Sequence, residues 1–375
     1  MIPALTPGAT HGDQLPPVHN GRSKLDASRG LERELGEATP PPSRSPPEQL
    51  TFEATGAPSY TDAGRPAAAQ VGYLRGGGGR SIWPPIVPMK LIRILTVGLC
   101  WLLAAGVGHA EEPPVPAGAT AALKVLVERQ RELLAEVAKK STHAEVEDLR
   151  AQFQELMFNY DDYLKKYPEV AAGYVSYAML LSQPVVDQRK LAAAMLLKAN
   201  ALDPNLPLVK NQLGNYLAEE GRPLDALNYY LAAVQLAPTE ALYHYQIGVL
   251  LTEGRAEFLK SGAWTRATLD QGMQDGFEQA TALAPGNVAY AYRYGESFYD
   301  LERPEWSAAL VFWRALEAKV TSPLEKETIR LHQANVLVQQ QKFAEALAVL
   351  EAVQEPVLQA QKQKLVAQLP VNSAK

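Results

Sequence analysis

The chain has a single cysteine, Cys100, and only six histidines among its 375 residues. A lone cysteine excludes a framework of intrachain disulfides and a zinc site built on several thiolates. The histidines lie far apart, none has a second ligand at metal-binding spacing, and neither a His-Glu-x-x-His motif nor a nucleophile elbow is found. These absences predict a protein that is not an enzyme and that holds no metal or cofactor.

An excess of basic charge is also missing. From Glu111 to the C-terminus there are 26 basic and 33 acidic side chains. Because nucleic-acid binding depends on concentrated basic patches, this balance argues against a nucleic-acid partner. Strand signals are nearly absent, helix formers dominate, and no apolar stretch after residue 110 approaches the length of a membrane span. The expectation is a soluble, exported, all-α protein.

A segment typical of a chain start lies a quarter of the way along the sequence. Met89 is followed by Lys90 and Arg93, an apolar run over 94–107, and Gly108-His109-Ala110. This order predicts a secretory signal peptide over 89–110 with cleavage after Ala110, and hence a periplasmic or secreted protein. Two alternatives stay open. The segment is close to the lower length limit of a membrane anchor, which would tether the protein to the inner membrane. A lipoprotein signal is the weaker alternative, because Leu99 precedes Cys100 where a small residue is needed.

Residues 1–88 hold 14 of the 28 prolines and 12 of the 26 glycines, without apolar periodicity. Such a segment buries too little apolar surface to offset chain entropy, so disorder is expected. We interpret it as upstream DNA read in frame, with Met89 as the start of the protein in the cell. The alternative is a Pro-rich arm that offers polyproline segments to a partner. A short Pro-rich linker over 111–118 follows the signal segment.

The rest of the chain repeats with a period of 34 residues. Gly214 recurs as Gly248 after 34 residues and as Gly295 after 47 more, and Pro204, Pro238 and Pro285 have the same spacing. Two amphipathic helices and two turns fill about 34 residues, and the longer interval indicates one insertion of 13 residues. Small residues let the helices of a pair approach closely, and proline ends the second helix. A single pair cannot cover its own apolar face, so neighbouring pairs are expected to stack.

These residues resemble the tetratricopeptide repeat (TPR). In the unit over 207–240 the matching positions are Leu213, Gly214, Gly221, Ala226, Tyr230, Ala233 and Pro238. The resemblance implies an all-α TPR-type solenoid of stacked antiparallel helix pairs. The predicted divisions are a degenerate first repeat over 119–170, repeats over 171–206, 207–240, 241–287 with the insertion, and 288–326, a degenerate repeat over 327–356, and a capping helix over 357–369.

TPR proteins bind partner segments on the wall made by the first helix of each pair. By resemblance, the exposed stripe of these helices contains residues at i, i+3/i+4 and i+7 spacing, which places them on one face of each helix. The candidate binding residues are Asn211, Gln212, Asn215, Tyr245, Gln246, Tyr292, Arg293, Glu296, His332 and Asn335. Packing between repeats, without any contact to a partner, is the alternative for the tyrosines and for His332.

Some TPR proteins clamp a terminal carboxylate with basic and amide side chains. Asn215 and Arg293 match that pattern, but Ala289 and Gln246 do not, and one cation is left where several are needed. A general groove that recognises backbone and side chains is therefore the preferred interpretation. The insertion predicts two helices longer by about two turns, with Phe258 and Trp264 near the tip. There they contact a partner or else cover the exposed end of the hairpin.

The sequence thus favours an adaptor that binds a protein or peptide in the cell envelope. The alternative is a structural component of envelope assembly, tethered to the membrane or oligomeric through the apolar stripe of residues 120–140.

Overall fold

The computed structural model describes residues 116, 118–140 and 148–370. The predicted signal peptide, the segment before it and nearly all of the linker lie outside the described residues. The described part is built from α-helices and one short 3-10 turn over 356–358, and the all-α class is confirmed. The helices are α1 (Ala119–Val137), α2 (Arg150–Lys166), α3 (Ala171–Leu181), α4 (Arg189–Leu202), α5 (Pro207–Glu219), α6 (Pro223–Leu236), α7 (Ala241–Glu253), α8 (Arg255–Lys260), α9 (Arg266–Leu283), α10 (Val288–Asp300), α11 (Trp306–Lys319), α12 (Pro323–Gln339), α13 (Phe343–Glu351) and α14 (Gln359–Val366).

The chain divides into two compact units between Glu220 and Gly221. Helices α1–α5 belong to the first unit and α6–α14 to the second. Within each unit, consecutive helices joined by short turns pack against one another, which is the TPR-type arrangement that the repeat predicts. In sequence terms, the repeat over 207–240 contributes α5 to the first unit and α6 to the second.

Proline marks both ends of several helices. Pro207, Pro223 and Pro323 occupy the first turn of α5, α6 and α12. A proline is tolerated there because the first backbone N–H groups of a helix have no partner within the helix. Two residues after α6 ends at Leu236 comes Pro238, and Pro285 stands in the same place after α9. The recurring spacing of Pro238 and Pro285 therefore marks the ends of the second helices.

Glycines set the closest helix contact of the second unit. A Cβ on Gly276 of α9 would lie 2.9 Å from both the backbone nitrogen of Gly248 and the carbonyl oxygen of His244 in α7. A Cβ on Gly248 would lie 2.8 Å from the ring of Phe277. The backbones of the two helices are thus in contact, and this contact leaves no room for a side chain at position 248.

The first unit uses the apolar stripe of α1 inside the chain. Leu133 of α1 is fully buried, and Tyr160 of α2 donates a hydrogen bond to the side-chain oxygen of Gln130 at 2.7 Å. Tyr160 also stacks on Tyr177 of α3, with ring centroids 5.1 Å apart. The stripe considered for oligomerisation therefore packs against helices of its own unit.

The insertion differs from its prediction. Helix α7 has 13 residues, the same length as α5, and ends at Glu253, with Gly254 as its C-cap. The six-residue helix α8 follows, and α9 begins at Arg266 after the N-cap Thr265, whose side chain forms a capping box with Thr268. Of the pair, only α9 is longer, with 18 residues against 14 in α6. The prediction of two lengthened helices is wrong because the chain turns at Gly254, where a Cβ would lie 2.8 Å from the Cβ of Pro223.

The last helices of the second unit close its C-terminal end. Helix α14 packs on α12 and α13 through buried Leu365. Lys362 of α14 donates to the carbonyl oxygen of Val353 at 2.8 Å, which satisfies backbone that follows α13. Among the helices described, none combines the length and apolar character needed to cross a membrane.

Candidate functional site

The predicted binding residues fall in both units. Asn211, Gln212 and Asn215 belong to α5 of the first unit, and the rest belong to α7, α10 and α12 of the second. Each unit is therefore considered by itself.

In the first unit, Asn211 is fully buried and is not part of an exposed stripe. Among the described residues, neither its amide nitrogen nor its amide oxygen has a hydrogen-bond partner. The neighbouring amides differ, because Gln212 and Asn215 are half-buried and Asn215 Nδ2 donates to Gln212 Oε1 at 3.2 Å. Helical spacing places Asn211 on the predicted face, but helix packing removes it from solvent.

In the second unit, His332 of α12 is also fully buried, which agrees with the packing alternative for this residue. Its ring stacks on Trp313 of α11, with centroids 4.2 Å apart and an interplanar angle of 11°. The hydroxyl of Tyr292 contacts His332 Nε2, and the hydroxyl of Tyr299 lies 3.2 Å from Nδ1. Burial lowers the pKa of His332 to about 3, so the ring is neutral near pH 7.

The tyrosines of α10 share this core. Tyr292 packs edge-on against Trp313, with centroids 5.2 Å apart. Burial raises the pKa of Tyr292 and of Tyr299 well above the ordinary value for tyrosine. Asn335, one turn beyond His332, is half-buried. The alternative that these tyrosines pack between helix pairs therefore describes Tyr292 and Tyr299 well.

Arg293 of α10 is held by three contacts within the second unit. Its guanidinium pairs with Asp300 Oδ2 at 3.0 Å and donates to Thr252 Oγ1 at 3.3 Å. It also lies over the ring of Phe277, 4.5 Å from the centroid. The cation considered for a carboxylate clamp is thus already paired, and Asp300, two turns further along the same helix face, is the partner that the sequence analysis missed.

Glu296, one turn after Arg293, is in the opposite situation. It is half-buried, and among the described residues it has no hydrogen-bond or ion-pair partner. Loss of hydration raises the pKa of its carboxyl, and Asp300 adds to that effect while Arg293 opposes it. Glu296 is close enough to influence the pKa of Tyr245, Tyr292 and Tyr299 electrostatically. This carboxylate is the least satisfied charge of the predicted site.

Tyr245 of α7 presents a half-buried ring. It stacks on Tyr290 of α10, with centroids 4.7 Å apart and an angle of 26°, and meets Phe277 edge-on at 5.6 Å. Burial raises the pKa of Tyr290 to about 12. Gln246, beside Tyr245 in sequence, is half-buried as well. Half-buried tyrosines combine ring area with a hydroxyl at low entropic cost, so they are effective contacts for a partner.

The insertion has an internal role. Phe258 is fully buried, and Trp264 packs edge-on against it with centroids 5.4 Å apart. Phe258 is thus a core residue and not a partner contact, and the half-buried Trp264 covers it. The structure supports the alternative in which these rings close the end of the hairpin.

A polar network joins the insertion to the end of α10. Arg266 pairs with buried Asp270 at 2.7 Å and also donates to the carbonyl oxygen of Asp300. Arg255 donates to the same carbonyl at 3.3 Å. Asp270 further accepts from the backbone N–H of Glu302 at 2.7 Å. The insertion therefore fixes the loop after α10.

On these helices the second unit places rings, an amide, one paired cation and one unpaired carboxylate. Side chains of these kinds are suited to stacking, hydrogen bonding and charge interactions. Of the candidate residues, His332 has an ordinary pKa suited to proton exchange, but it is enclosed and bonded at both nitrogens. Within residues 116–140 and 148–370 as far as they are described, no group of three or more metal-binding side chains is assembled.

Comparison with known proteins finds likeness only in solved structures. No protein-family model matches the chain. No curated protein sequence matches it either. The chain is similar to PilF of Pseudomonas aeruginosa, with 16% identity, a TM-score of 0.46, and coverage of 67% of this chain and 99% of that one. It is similar to YrrB, a TPR protein with an unusual peptide-binding site, with 16% identity, a TM-score of 0.43, and coverage of 55% and 97%. For PilW, a widely conserved type IV pilus biogenesis factor, the values are 13%, 0.43, 67% and 99%.

Proposed function

We propose that the chain is a non-enzymatic scaffold whose second unit binds a segment of a partner protein across α7 and α10. The observation that carries the proposal is the pair of half-buried rings Tyr245 of α7 and Tyr290 of α10, which stack with centroids 4.7 Å apart. Core side chains at the equivalent positions of α12 are enclosed and satisfied, whereas these remain accessible to a ligand.

Several features of the site support binding over catalysis. The rings are held by stacking, and Arg293 is held by Asp300, so the surface is already ordered before a partner arrives. An ordered surface loses little entropy on binding. The signal-like segment over 89–110 supports a location in the cell envelope, either free in the periplasm or anchored by that segment.

Site-specific photo-crosslinking in cells tests the proposal. A photoreactive residue at Gln246 places the probe next to Tyr245, and the same residue at exposed Val311 of α11 serves as the control. We expect a discrete protein adduct from the Gln246 position that is lost when Tyr245 is changed to alanine. Identical adducts from both positions, or none from Gln246, would contradict a binding role for this surface.

A further inference from the structure

The insertion, residues 255–268, is joined to the proposed binding surface by an unbroken series of contacts within the second unit. The series begins at the end of α10, where Leu301 leaves the helix at once in an extended conformation, with φ −70° and ψ 143°. The carbonyl oxygen of Asp300, the last residue of the helix, accepts hydrogen bonds from Arg266 and, at 3.3 Å, from Arg255. The insertion therefore determines where residue 300 lies.

The side chain of Asp300 fixes Arg293. Its Oδ2 accepts from Arg293 at 3.0 Å, and the same guanidinium donates to Thr252 Oγ1 of α7 at 3.3 Å. Arg293 also lies over the ring of Phe277, 4.5 Å from the centroid. Because the donors of a guanidinium lie in a rigid plane, contacts with three groups restrict it to one position. A displacement of Asp300 would therefore move Arg293 away from the ring.

Phe277 connects Arg293 to the rings of the binding surface. It is fully buried in α9 and meets Tyr245 edge-on, with centroids 5.6 Å apart. Tyr245 in turn stacks on Tyr290 at 4.7 Å between centroids. Every step from residue 300 to Tyr290 is thus a contact between packed groups, and closely packed groups transmit strain to one another.

Three arginines share two carboxylates at this end of the unit. Arg266 pairs with Asp270 at 2.7 Å, and Arg255 lies 3.9 Å from the same carboxylate. Arg293 pairs with the second carboxylate, that of Asp300. The Asp270 side chain is only 11% exposed, so water screens its ion pairs weakly. Because both carboxylates of the group are already paired, an arginine that left its partner would find no free carboxylate in the group.

We propose that Arg266 is a positioning residue for Tyr245 and Tyr290, the two rings of the proposed binding surface. By holding the end of α10 it keeps Arg293 on Phe277, and the edge of that ring sets the orientation in which the two tyrosines meet the partner. Arg266 itself does not contact the partner. The inference rests on the proposed function, because it gives the insertion a role in presenting that surface.

The test reads the environment of Tyr245 in the unbound, full-length protein by fluorine NMR, with fluorotyrosine incorporated at that position. Tyr245 lies on α7, so its signal reports a change that has crossed from α10 to another helix. Arg266 stands ten residues before Gly276, the residue of α9 that touches α7 at His244. This separation is about 15 Å along the helix, so a direct effect of Arg266 on the label is not expected.

The wild type is compared with Arg266→Ala, Arg266→Lys, Arg293→Ala and the double variant Arg266→Ala/Arg293→Ala. Lysine keeps the positive charge beside Asp270, but it has one ammonium in place of the two nitrogens that bond Asp270 and the carbonyl oxygen of Asp300. Arg314→Ala is the control, because Arg314 is an exposed arginine of α11 in a surface ion pair. Circular dichroism and hydrogen exchange of α12 establish that the second unit of each variant is folded.

The fluorine signal of residue 245 should move in the same direction in Arg266→Ala, Arg266→Lys and Arg293→Ala, and it should keep its wild-type position in Arg314→Ala. The double variant should match Arg293→Ala alone, because removal of Arg293 already interrupts the series of contacts. An unchanged signal in Arg266→Ala, or shifts that add in the double variant, would overturn the proposal. If Arg266→Ala is not folded, the same comparison with Arg266→Lys decides.

Photo-crosslinking from position 246 separates this inference from the proposed function. The yield of the discrete adduct should fall by about twofold or more in Arg266→Ala, the lower limit for coupled side chains in contact, and should not change in Arg314→Ala. A wild-type yield in folded Arg266→Ala would overturn the positioning role and leave the binding surface intact. If the wild type forms no adduct, the proposed function fails, and the fluorine signal alone decides whether Arg266 orients Tyr245.

Discussion

Gly295 is the position where a single methyl group should show how tightly the core of the second unit is packed. A Cβ on this residue would lie 2.5 Å from two atoms of the Trp313 ring. Trp313 is fully buried, stacks on His332 at 4.2 Å between centroids, and meets Tyr292 edge-on at 5.2 Å. The ring cannot move away without disturbing these neighbours.

Two opposing effects determine the result of Gly295→Ala. Alanine in the interior of a helix is more favourable than glycine by about 1 kcal/mol. Forcing an extra methyl group into a packed core costs about 1–3 kcal/mol, and a rigid, enclosed indole ring favours the upper part of that range. We therefore expect the free energy of unfolding to fall by roughly 1–2 kcal/mol.

Gly272→Ala is the matched control. Gly272 also lies inside a helix, but its Cβ would meet only a methyl carbon of the Leu251 side chain, at 3.0 Å. That flexible chain end can shift, so the helix preference should prevail and the variant should be neutral or slightly more stable. Urea unfolding followed by circular dichroism, with hydrogen exchange of α10 and α11 to isolate local stability, measures both changes.

Equal stability of Gly295→Ala and the wild type would refute the packing argument. So would an equal loss in both variants. A further check is the double variant Gly295→Ala/Trp313→Phe. The smaller ring makes room for the methyl group, so the double variant should be less unstable than the sum of the two single changes.

Three further changes should affect stability in defined ways. Between about pH 6.5 and pH 3, His332 takes up a proton in the unfolded chain but stays neutral in the folded protein. As the pH falls through this range, the free energy of unfolding of the wild type should therefore decrease by about 1.4 kcal/mol per pH unit relative to His332→Gln, as measured by urea unfolding. Parallel pH profiles of the two proteins would contradict this. Asp270→Ala removes the buried partner of Arg266, so the free energy of unfolding should fall by about 3–5 kcal/mol. Asp162→Ala, which removes one side of an exposed ion pair, should lower it by less than about 1 kcal/mol. Similar losses in the two variants would show that the network is unimportant. Glu296→Gln removes a poorly hydrated charge and should raise the free energy of unfolding at pH 7 by roughly 0.5 kcal/mol. Because the pKa of Glu296 is raised, that gain should shrink as the pH falls and the wild-type carboxyl becomes neutral, and a gain that grows in acid would refute the assignment.

The repeat markers predicted the helices well because their causes are local. Proline stands either in the first turn of a helix or just after its end, and Gly248 and Gly295 lie where an aromatic ring of the next helix approaches closely. The insertion was harder to predict because its apolar pattern continues through Gly254. A side chain at position 254 would collide with Pro223, which lies 31 residues earlier and outside the local pattern.

The candidate site was predicted in position but not in exposure. Helical spacing shows correctly that residues such as Tyr292 and Glu296 share a face, but burial depends on what the neighbouring helices place against that face. His332 is enclosed because Trp313 fills the space that Gly295 leaves open. The pairing of Arg293 with Asp300 follows from their i, i+7 spacing and was open to prediction.

The arginines of the insertion also affect the order in which the protein can assemble. The carbonyl oxygen of Asp300, in the last turn of α10, receives its hydrogen bonds from Arg255 and Arg266, which precede it by 45 and 34 residues. A helix end is usually completed by the residues that immediately follow it. Here the last turn of α10 depends on the insertion, which precedes it in the chain. The insertion therefore links two successive repeats, and we expect them to unfold as one cooperative element. Removing the insertion to restore a uniform repeat would therefore loosen the helix that carries Glu296.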